Sequence, residues 1–204
     1  MFFFIEPVSN QAKGYVMNGK PSNRFTLKKF QTIARAISAY TQLDLLVVHL
    51  VEDICREFDM RACSILLFDD RENQLFRMGS FGLSDDYLTK GPVFVDDKCN
   101  SFVKGEPVLI FDLQTDTRVQ YPDAAKKENL VSMLAIPVKY RKYTIGEMRI
   151  YNNQLIEFNE DDIELFLILG QFLGLAIDNQ GLRNFIASVR SSMQDLPLRI
   201  LNEP

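Results

Sequence analysis

Glu147 and Arg149 stand two residues apart in "TIGEMRIYN", a stretch whose composition reads as a strand. Side chains at i and i+2 of a strand point the same way, so an acid and a guanidinium share one face. The strand before it, "SMLAIPVKY", is joined across Arg141-Lys142. If Tyr140 faces Tyr143, Leu134 lies opposite Arg149, Ile136 opposite Glu147 and Val138 opposite Ile145. One face then carries Ser132, Leu134, Ile136, Val138, Ile145, Glu147, Arg149 and Tyr151, and the other Ala135, Pro137, Gly146, Met148 and Ile150. The small residues of the second face suit close approach of a helix. The first mixes aliphatic, hydroxyl and charged groups, which a purely structural face does not need. Two readings are open for the charged pair. Arg149 with nearby hydroxyls recognises an anionic or amide-bearing ligand, or the two residues pair with each other at a solvated rim.

The other chemistry-bearing residues are few. There are three cysteines, Cys55, Cys63 and Cys99, without a CxxC, which is no disulfide framework and suits a reducing compartment. Cys99 precedes the short helical stretch "NSFVKG", and a helix N-terminus lowers a thiol pKa. The single histidine, His49, falls on the polar side of a helix beside Glu52 and Asp53 and reads as a solvated residue. There is no glycine-rich phosphate loop and no metal-ligand spacing. "KYRKY", residues 139 to 143, reads as a hairpin tip. No cofactor is expected.

Composition limits the function classes. The chain has 204 residues, 47% hydrophobic and 25% charged, enough for one domain with a full core. A net charge of −4 gives no basic surface for tracking phosphates, so nucleic acid is not expected as a direct partner. The opening "MFFFIEPV" has no basic n-region and its apolar run stops at Glu6, short of a signal peptide or a membrane span. The expected setting is the cytoplasm, without membrane contact.

Residues 1–24 read as a leader, and residues 25–43 as an N-terminal helix with Leu27, Phe30, Ile33, Ile37 and Tyr40 at helical spacing. Asp44 is expected to cap a second helix with the stripe Val47, Leu50, Val51, Ile54 and Phe58. A hairpin, "ACSILLFD" and "LFRMGSFG" around "DRENQ", comes next, followed by the strands "PVFV" and "VLIFDL". Between these two lies a short helix ending at Gly105, a natural position past a helix end. The helix from Pro122 to about Asn129 is too short and polar for a core element, yet leads straight into a buried strand. It reads as a cover.

The last helix opens on "EFNEDDIELF": Asn159 caps, the acids that follow suit the helix dipole, and Phe158 can staple onto Ile163. Apolar positions then fall at Leu165, Ile168, Phe172, Leu175, Asn179, Leu182, Ile186, Val189, Met193 and Leu196, alternating three and four until Pro197. This is a heptad seam with one polar a position, Asn179, which favours a parallel two-stranded pairing in register. Asp178 and Arg183 have the spacing of an interchain ion pair in a parallel coiled coil. A second stripe, Phe166, Leu169, Leu173 and Ile177, remains to pack on the sheet. Beyond Leu182 little of the domain is left to wrap the helix, which favours a homodimer over a helix covered by its own domain.

These pieces, in this order, resemble the GAF domain, a small-molecule-sensing module common in bacterial signalling proteins and phosphodiesterases. The resemblance covers roughly Leu45 to Leu182 and is carried by "GEPVLIFDLQTDTR", "YPDAAKKENLVSMLAIPV", "IGEMRIYNNQLIEFNEDDIELF" and "LGLAIDNQGL" in that sequence. It implies an α+β, GAF-like (PAS-related) fold: an antiparallel sheet with the N- and C-terminal helices on one face. Short lid helices, Asn100–Lys104 and Pro122–Asn129, would close a ligand pocket over the other. The sensory domain is then 44–182, with 183–204 a C-terminal helical extension and tail. The implied pocket residues are Ser64, Phe94, Ser101, Phe102, Asp112, Asp116, Arg118, Tyr121, Ser132, Glu147 and Arg149. Arg118 and Asp116 equally suit turn residues that fix their loop.

Subtypes separate on particular residues. Cyclic-nucleotide-binding members carry Asn-Lys, then Phe, then Asp-Glu; Asn152, Phe158 and Asp162 match, while Asn153 and Ile163 depart from the pattern. Bilin- and haem-binding members need a histidine that His49 does not supply. Free-methionine sulfoxide reductases use a cysteine nucleophile; Cys99 is near such a place, but no motif puts Cys55 or Cys63 beside it to resolve the intermediate. The expected function is therefore a homodimeric sensory domain, not an enzyme, for an unidentified small ligand. The alternatives are the reductase and a ligand-free dimerisation module whose pocket is filled by Met133, Phe94 and Phe102. No kinase, cyclase or DNA-binding segment follows Pro204, so the expected output lies in a partner such as a kinase or transcription regulator, or in a longer chain.

Overall fold

The structure, a computed structural model, describes residues 26–40, 42–95, 101–156 and 158–194. The leader 1–24, Cys99, Asn100 and Leu196 lie outside them. Six antiparallel strands make one sheet in the order β3-β2-β1-β6-β5-β4. They are β1 (Ala62–Asp69), β2 (Gln74–Phe81), β3 (Val93–Phe94), β4 (Val108–Ile110), β5 (Ser132–Tyr140) and β6 (Tyr143–Asn152).

Strand alternation divides the protein into two layers. Cys63, Ile65, Leu134, Ile136, Val138, Met148 and Ile150 point to the main core, which is closed by α1 (Leu27–Ala39), α2 (Leu43–Phe58) and α6 (Glu160–Gln194). Ala62, Leu66, Met133, Ala135 and Tyr151 point the other way. They meet Tyr87 of α3 (Asp85–Leu88), Phe102 of α4 (Ser101–Lys104) and Ala125 of α5 (Pro122–Lys127).

The register of the central hairpin departs from the expected one. Tyr140 does face Tyr143, but a bulge at Val138/Lys139 shifts the pairing by one residue. Leu134 lies opposite Ile150, Ile136 opposite Met148 and Val138 opposite Gly146. A one-residue slip exchanges faces. Without it, the aliphatic set of β5 would share a face with Glu147 and Arg149; with it, the aliphatics of both strands enter one core.

Helix ends follow local chemistry. Lys29 N donates to Thr26 Oγ1 at 3.3 Å to start α1. Asp162 N donates to Asn159 Oδ1 at 2.7 Å while Asn159 N donates to Asp162 Oδ2 at 3.1 Å, a reciprocal capping box opening α6. This box accounts for the buried Asp162 without any ligand. For α2 the expected cap is corrected: Gln42 precedes the first turn without a side-chain bond, and Asp44 sits inside that turn, where the dipole favours it.

Close approach of α6 to the sheet is arranged by glycines of the helix. A Cβ at Gly174 would sit 2.1 Å from Lys139 O, and one at Gly170 would sit 2.8 Å from Pro137 O. Helix backbone thus lies directly on β5 backbone. By length and composition α6 is apolar enough to cross a membrane, yet Phe166, Leu169 and Leu173 are buried on the sheet. Residues 181–191 are exposed, among them Leu182, Phe185, Ile186 and Val189.

Candidate functional site

The second face of the sheet carries the polar chemistry. Glu147 on β6 is fully buried and accepts three hydrogen bonds. Arg149 Nε lies 2.5 Å from Oε1, while Ser101 Oγ and the Phe102 backbone N–H reach Oε2 at 2.9 and 3.3 Å. The carboxylate therefore fastens α4 to the sheet and holds one edge of the Arg149 guanidinium. Phe102 completes the attachment by stacking on Phe68, ring centroids 4.5 Å apart. Glu147 and Arg149 do pair, but in the interior; Arg149 is only 8% exposed.

Above Arg149 is a cavity of about 370 Å³. Ser64 and Leu66 of β1, Gln74 and Arg77 of β2, Tyr151 of β6, Tyr87 of α3 and the turn Lys90–Val93 line it. Ser64 and Arg149 are direct cross-strand partners, which brings the hydroxyl beside the base of the arginine. Tyr87 packs edge-on to Tyr151, 6.0 Å between centroids, and burial with that neighbour raises its hydroxyl above the usual phenol range. Lys90 Nζ donates to Tyr87 O at 3.2 Å and lies 3.9 Å from the Tyr87 ring centroid. Burial, and then the positive charges of Arg149 and Arg77, push the Lys90 ammonium down to about 8.

A second void of about 20 Å³, space for about one water, adjoins Arg149, Tyr121 and Met133. Met133, Ile110 and Leu113 fill the rest of that region. Phe94 does not fill the pocket: it is 53% exposed, and its backbone is engaged by Gln120 through bonds of 3.2 and 2.7 Å.

The expected site residues divide into four groups. Ser64 and Arg149 line the larger cavity, and Tyr121 lines the smaller void while donating to Pro92 O at 2.7 Å. Glu147, Ser101 and Phe102 form the clamp beside it. Asp112, Asp116 and Arg118 brace the loop before α5. Asp112 accepts from Gln114 N at 2.9 Å and Thr115 Oγ1 at 2.7 Å, and Asp116 grips the Arg118 guanidinium at 2.6 to 3.1 Å. These hydrogen bonds hold both aspartates below the usual carboxylate range. Ser132 and Phe94 stand apart from the cavity; Ser132 donates to Gln154 O at 2.7 Å, two residues from Leu134 and with the parity of the helix-covered face.

Among the residues of the cavity that escaped the sequence reading are Arg77, Tyr87 and Lys90. Tyr87 lies in α3, a helix the sequence reading does not assign, and Lys90 lies two residues past its end. Its signal was Ser84 followed by Asp85-Asp86, and Ser84 Oγ accepts from Tyr87 N at 3.2 Å.

Elsewhere, Cys55 and Cys63 are buried; burial pushes Cys55 up to about 12 and Cys63 well above its ordinary value. His49 stacks on Tyr40, 5.0 Å between centroids. Among the described residues no group of histidine, cysteine and acidic side chains could hold a metal. Along α6, Leu175, Asn179, Leu182, Arg183, Ile186 and Val189 are exposed and Asp178 is half-buried. Leu175, Asn179 and Arg183 border a groove of about 330 Å³ with Ile37, Tyr40 and Leu43.

The sequence profile of the GAF domain matches residues 41–178, and the chain belongs to the GAF domain family. No curated protein sequence is a significant match. Solved structures share the fold. The GAF domain of a phosphoenolpyruvate-protein phosphotransferase from Coxiella burnetii aligns at TM-score 0.70 and 19% identity, covering 80% of this chain and 99% of that one. The corresponding domain from Acinetobacter aligns at 0.65 and 20%, covering 78% and 96%. A free methionine-R-sulfoxide reductase from Neisseria meningitidis, solved with its substrate, aligns at 0.62 and 14%, covering 76% and 89%.

Proposed function

We propose that this GAF domain is a sensory module that binds a small molecule between α3 and the sheet and works as a parallel homodimer through α6. The observation that carries the reading is the Arg149 floor: a nearly buried guanidinium under an open cavity, clamped through Glu147 to the helix α4. A ligand touching Arg149 acts on a group already tied through Glu147 to α4 and to the central strand. From there β5 is bonded to β6, and α6 rests on β5 at Gly170 and Gly174. Ligand and helix are thus coupled by contact, and the dimer seam shifts by no more than the ligand's differential affinity for its two packings.

For the seam, the occupant is a second copy. The unbroken heptads, Asn179 at an a position and the complementary Asp178 and Arg183 support in-register pairing. The exposed apolar side chains beyond Leu182 support it from the structure. The acidic balance speaks against nucleic acid as a partner, and three cysteines without a CxxC suit the reducing cytoplasm; membrane is no part of the reading. An output protein, such as a kinase or transcription regulator, would read the helix.

The reductase reading draws on the Neisseria likeness, but the two described thiols are buried and poor nucleophiles. Methionine sulfoxide turnover that vanishes on Cys99→Ser would replace the sensory reading. Native mass spectrometry of the purified protein tests the proposal directly. A dimer carrying added mass supports it, and a clean monomer across a concentration series sinks the seam and the transmission built on it.

A further inference from the structure

The larger cavity has an unusual charge for this chain. Arg77, Lys90 and Arg149 line it and no described carboxylate does, although the protein as a whole carries a net charge of −4. Arg149 is answered by Glu147. Arg77 and Lys90 are not: among the described residues neither forms an ion pair, and each donates to a backbone carbonyl at the end of α3, Leu88 O and Tyr87 O, both at 3.2 Å. Both cations line this one cavity. Glu128, an acid whose charge acts on Lys90, is held by Ser84 N at 2.9 Å and by the Ser84 hydroxyl, with Arg61 3.9 Å away. Part of the remaining wall is apolar, with Leu66, Leu75 and Val93 buried together.

We infer that the cavity takes a small organic anion, its charged head between Arg77, Lys90 and Arg149 and a compact apolar body against Leu66 and Leu75. This rests on the reading of the cavity as the sensory ligand site and names the class of ligand. Clustered cations raise one another's free energy, and a bound anion relieves it; hydrogen bonds to charged groups are among the strong ones. A cavity of about 370 Å³ is the size of a small-molecule site.

The inference fixes a pH dependence. Lys90 faces Arg149 from β6, Arg77 from β2, Asp86 of α3, Asp123 of α5, Glu128 after α5 and the rings of Tyr87 and Tyr121, and burial with the two arginines pushes its ammonium down to about 8. The anion favours the ammonium, so near and above that pH binding takes up a proton. Affinity is then level well below pH 8 and falls as pH rises through it, by at most about tenfold per unit.

Phenyl phosphate is a suitable probe, since a phosphate monoester is essentially dianionic from pH 7 upward, and benzamide is its neutral counterpart. The readout is the backbone amide NMR spectrum of the full chain at millimolar probe. The expected result is saturable shifts at Ser64, Lys90 and Arg149 with phenyl phosphate, at least about tenfold tighter than with benzamide. The variant Arg77→Gln/Lys90→Gln removes two half-exposed or exposed cations, leaves the Glu147 clamp in place, and should weaken phenyl phosphate at least about tenfold. Lys90→Gln alone should abolish the decline above pH 8. Equal binding of both probes at these amides overturns the anion class while leaving the ligand site standing. Shifts at these amides with neither probe overturn both. Phenyl phosphate binding unchanged in the double variant also overturns the anion class.

Discussion

Two carboxylate–arginine pairs in this chain share one spacing and have different roles. Glu147–Arg149 and Asp116–Arg118 are both i, i+2, with closest N···O distances of 2.5 and 2.6 Å. The first pair has side-chain exposures of 0% and 10%, the second 20% and 38%. Glu147 sits on the central hairpin under α4, and its three hydrogen-bonding partners are protein groups fixed by two elements, β6 and α4. Asp116 sits in a loop and grips its own turn. Spacing and chemistry alike are therefore insufficient to tell a site from a brace; burial and the origin of the third partner decide.

The largest expected effect is on the buried pair. Glu147→Ala strands Arg149 in the interior and deprives Ser101 and Phe102 of their acceptor, a loss of about 3–5 kcal/mol by chemical denaturation. A loss below about 1 kcal/mol would show that water replaces the carboxylate and that the clamp is not structural. Next comes Ser101→Ala, which removes one hydrogen bond to a charged acceptor and should cost about 1–3 kcal/mol, with the fastest amide exchange appearing in α4. If exchange rises uniformly instead, Ser101 does not hold that helix separately.

Asp116→Ala should cost only about 0.2–1 kcal/mol and should do so less at high salt. The Asp116 carboxyl is held below its ordinary value, first by the Arg118 side chain, so its contribution is present above the unfolded aspartate range and is lost as pH falls through the lower folded value. A comparison of wild type and Asp116→Ala from neutral to acidic pH should show the two stabilities converging. Smallest of all is the expected effect of Arg118→Ala on phenyl phosphate binding, which should be unchanged within error, because Arg118 lines neither void beside Arg149. A tenfold loss in that variant would move the site into the loop.

The parts of the fold written in local chemistry were legible. The box of Asn159 and Asp162, the Gly105 stop after α4 and the division of α6 into a buried stripe and an exposed one all follow from residues a few positions apart. The site was legible as a strand face, since Glu147 and Arg149 must point together. Its neighbours were not. Whether Leu134 or Ala135 accompanies them depends on one bulge, which puts the aliphatics of both strands into one core and has no local marker in the sequence.

Lys90 marks the same boundary from the other side. Nothing adjacent to it in sequence distinguishes it from the exposed lysines, and its lowered ammonium value comes from burial and from arginines on β2 and β6. By itself the sequence determined the elements, their ends, the family and the heptad pattern, because these depend on spacings within a single helix or strand. Tertiary structure decided which charges meet. A cavity is made of residues distant along the chain, and the energy of a charge depends on how much water its neighbours exclude.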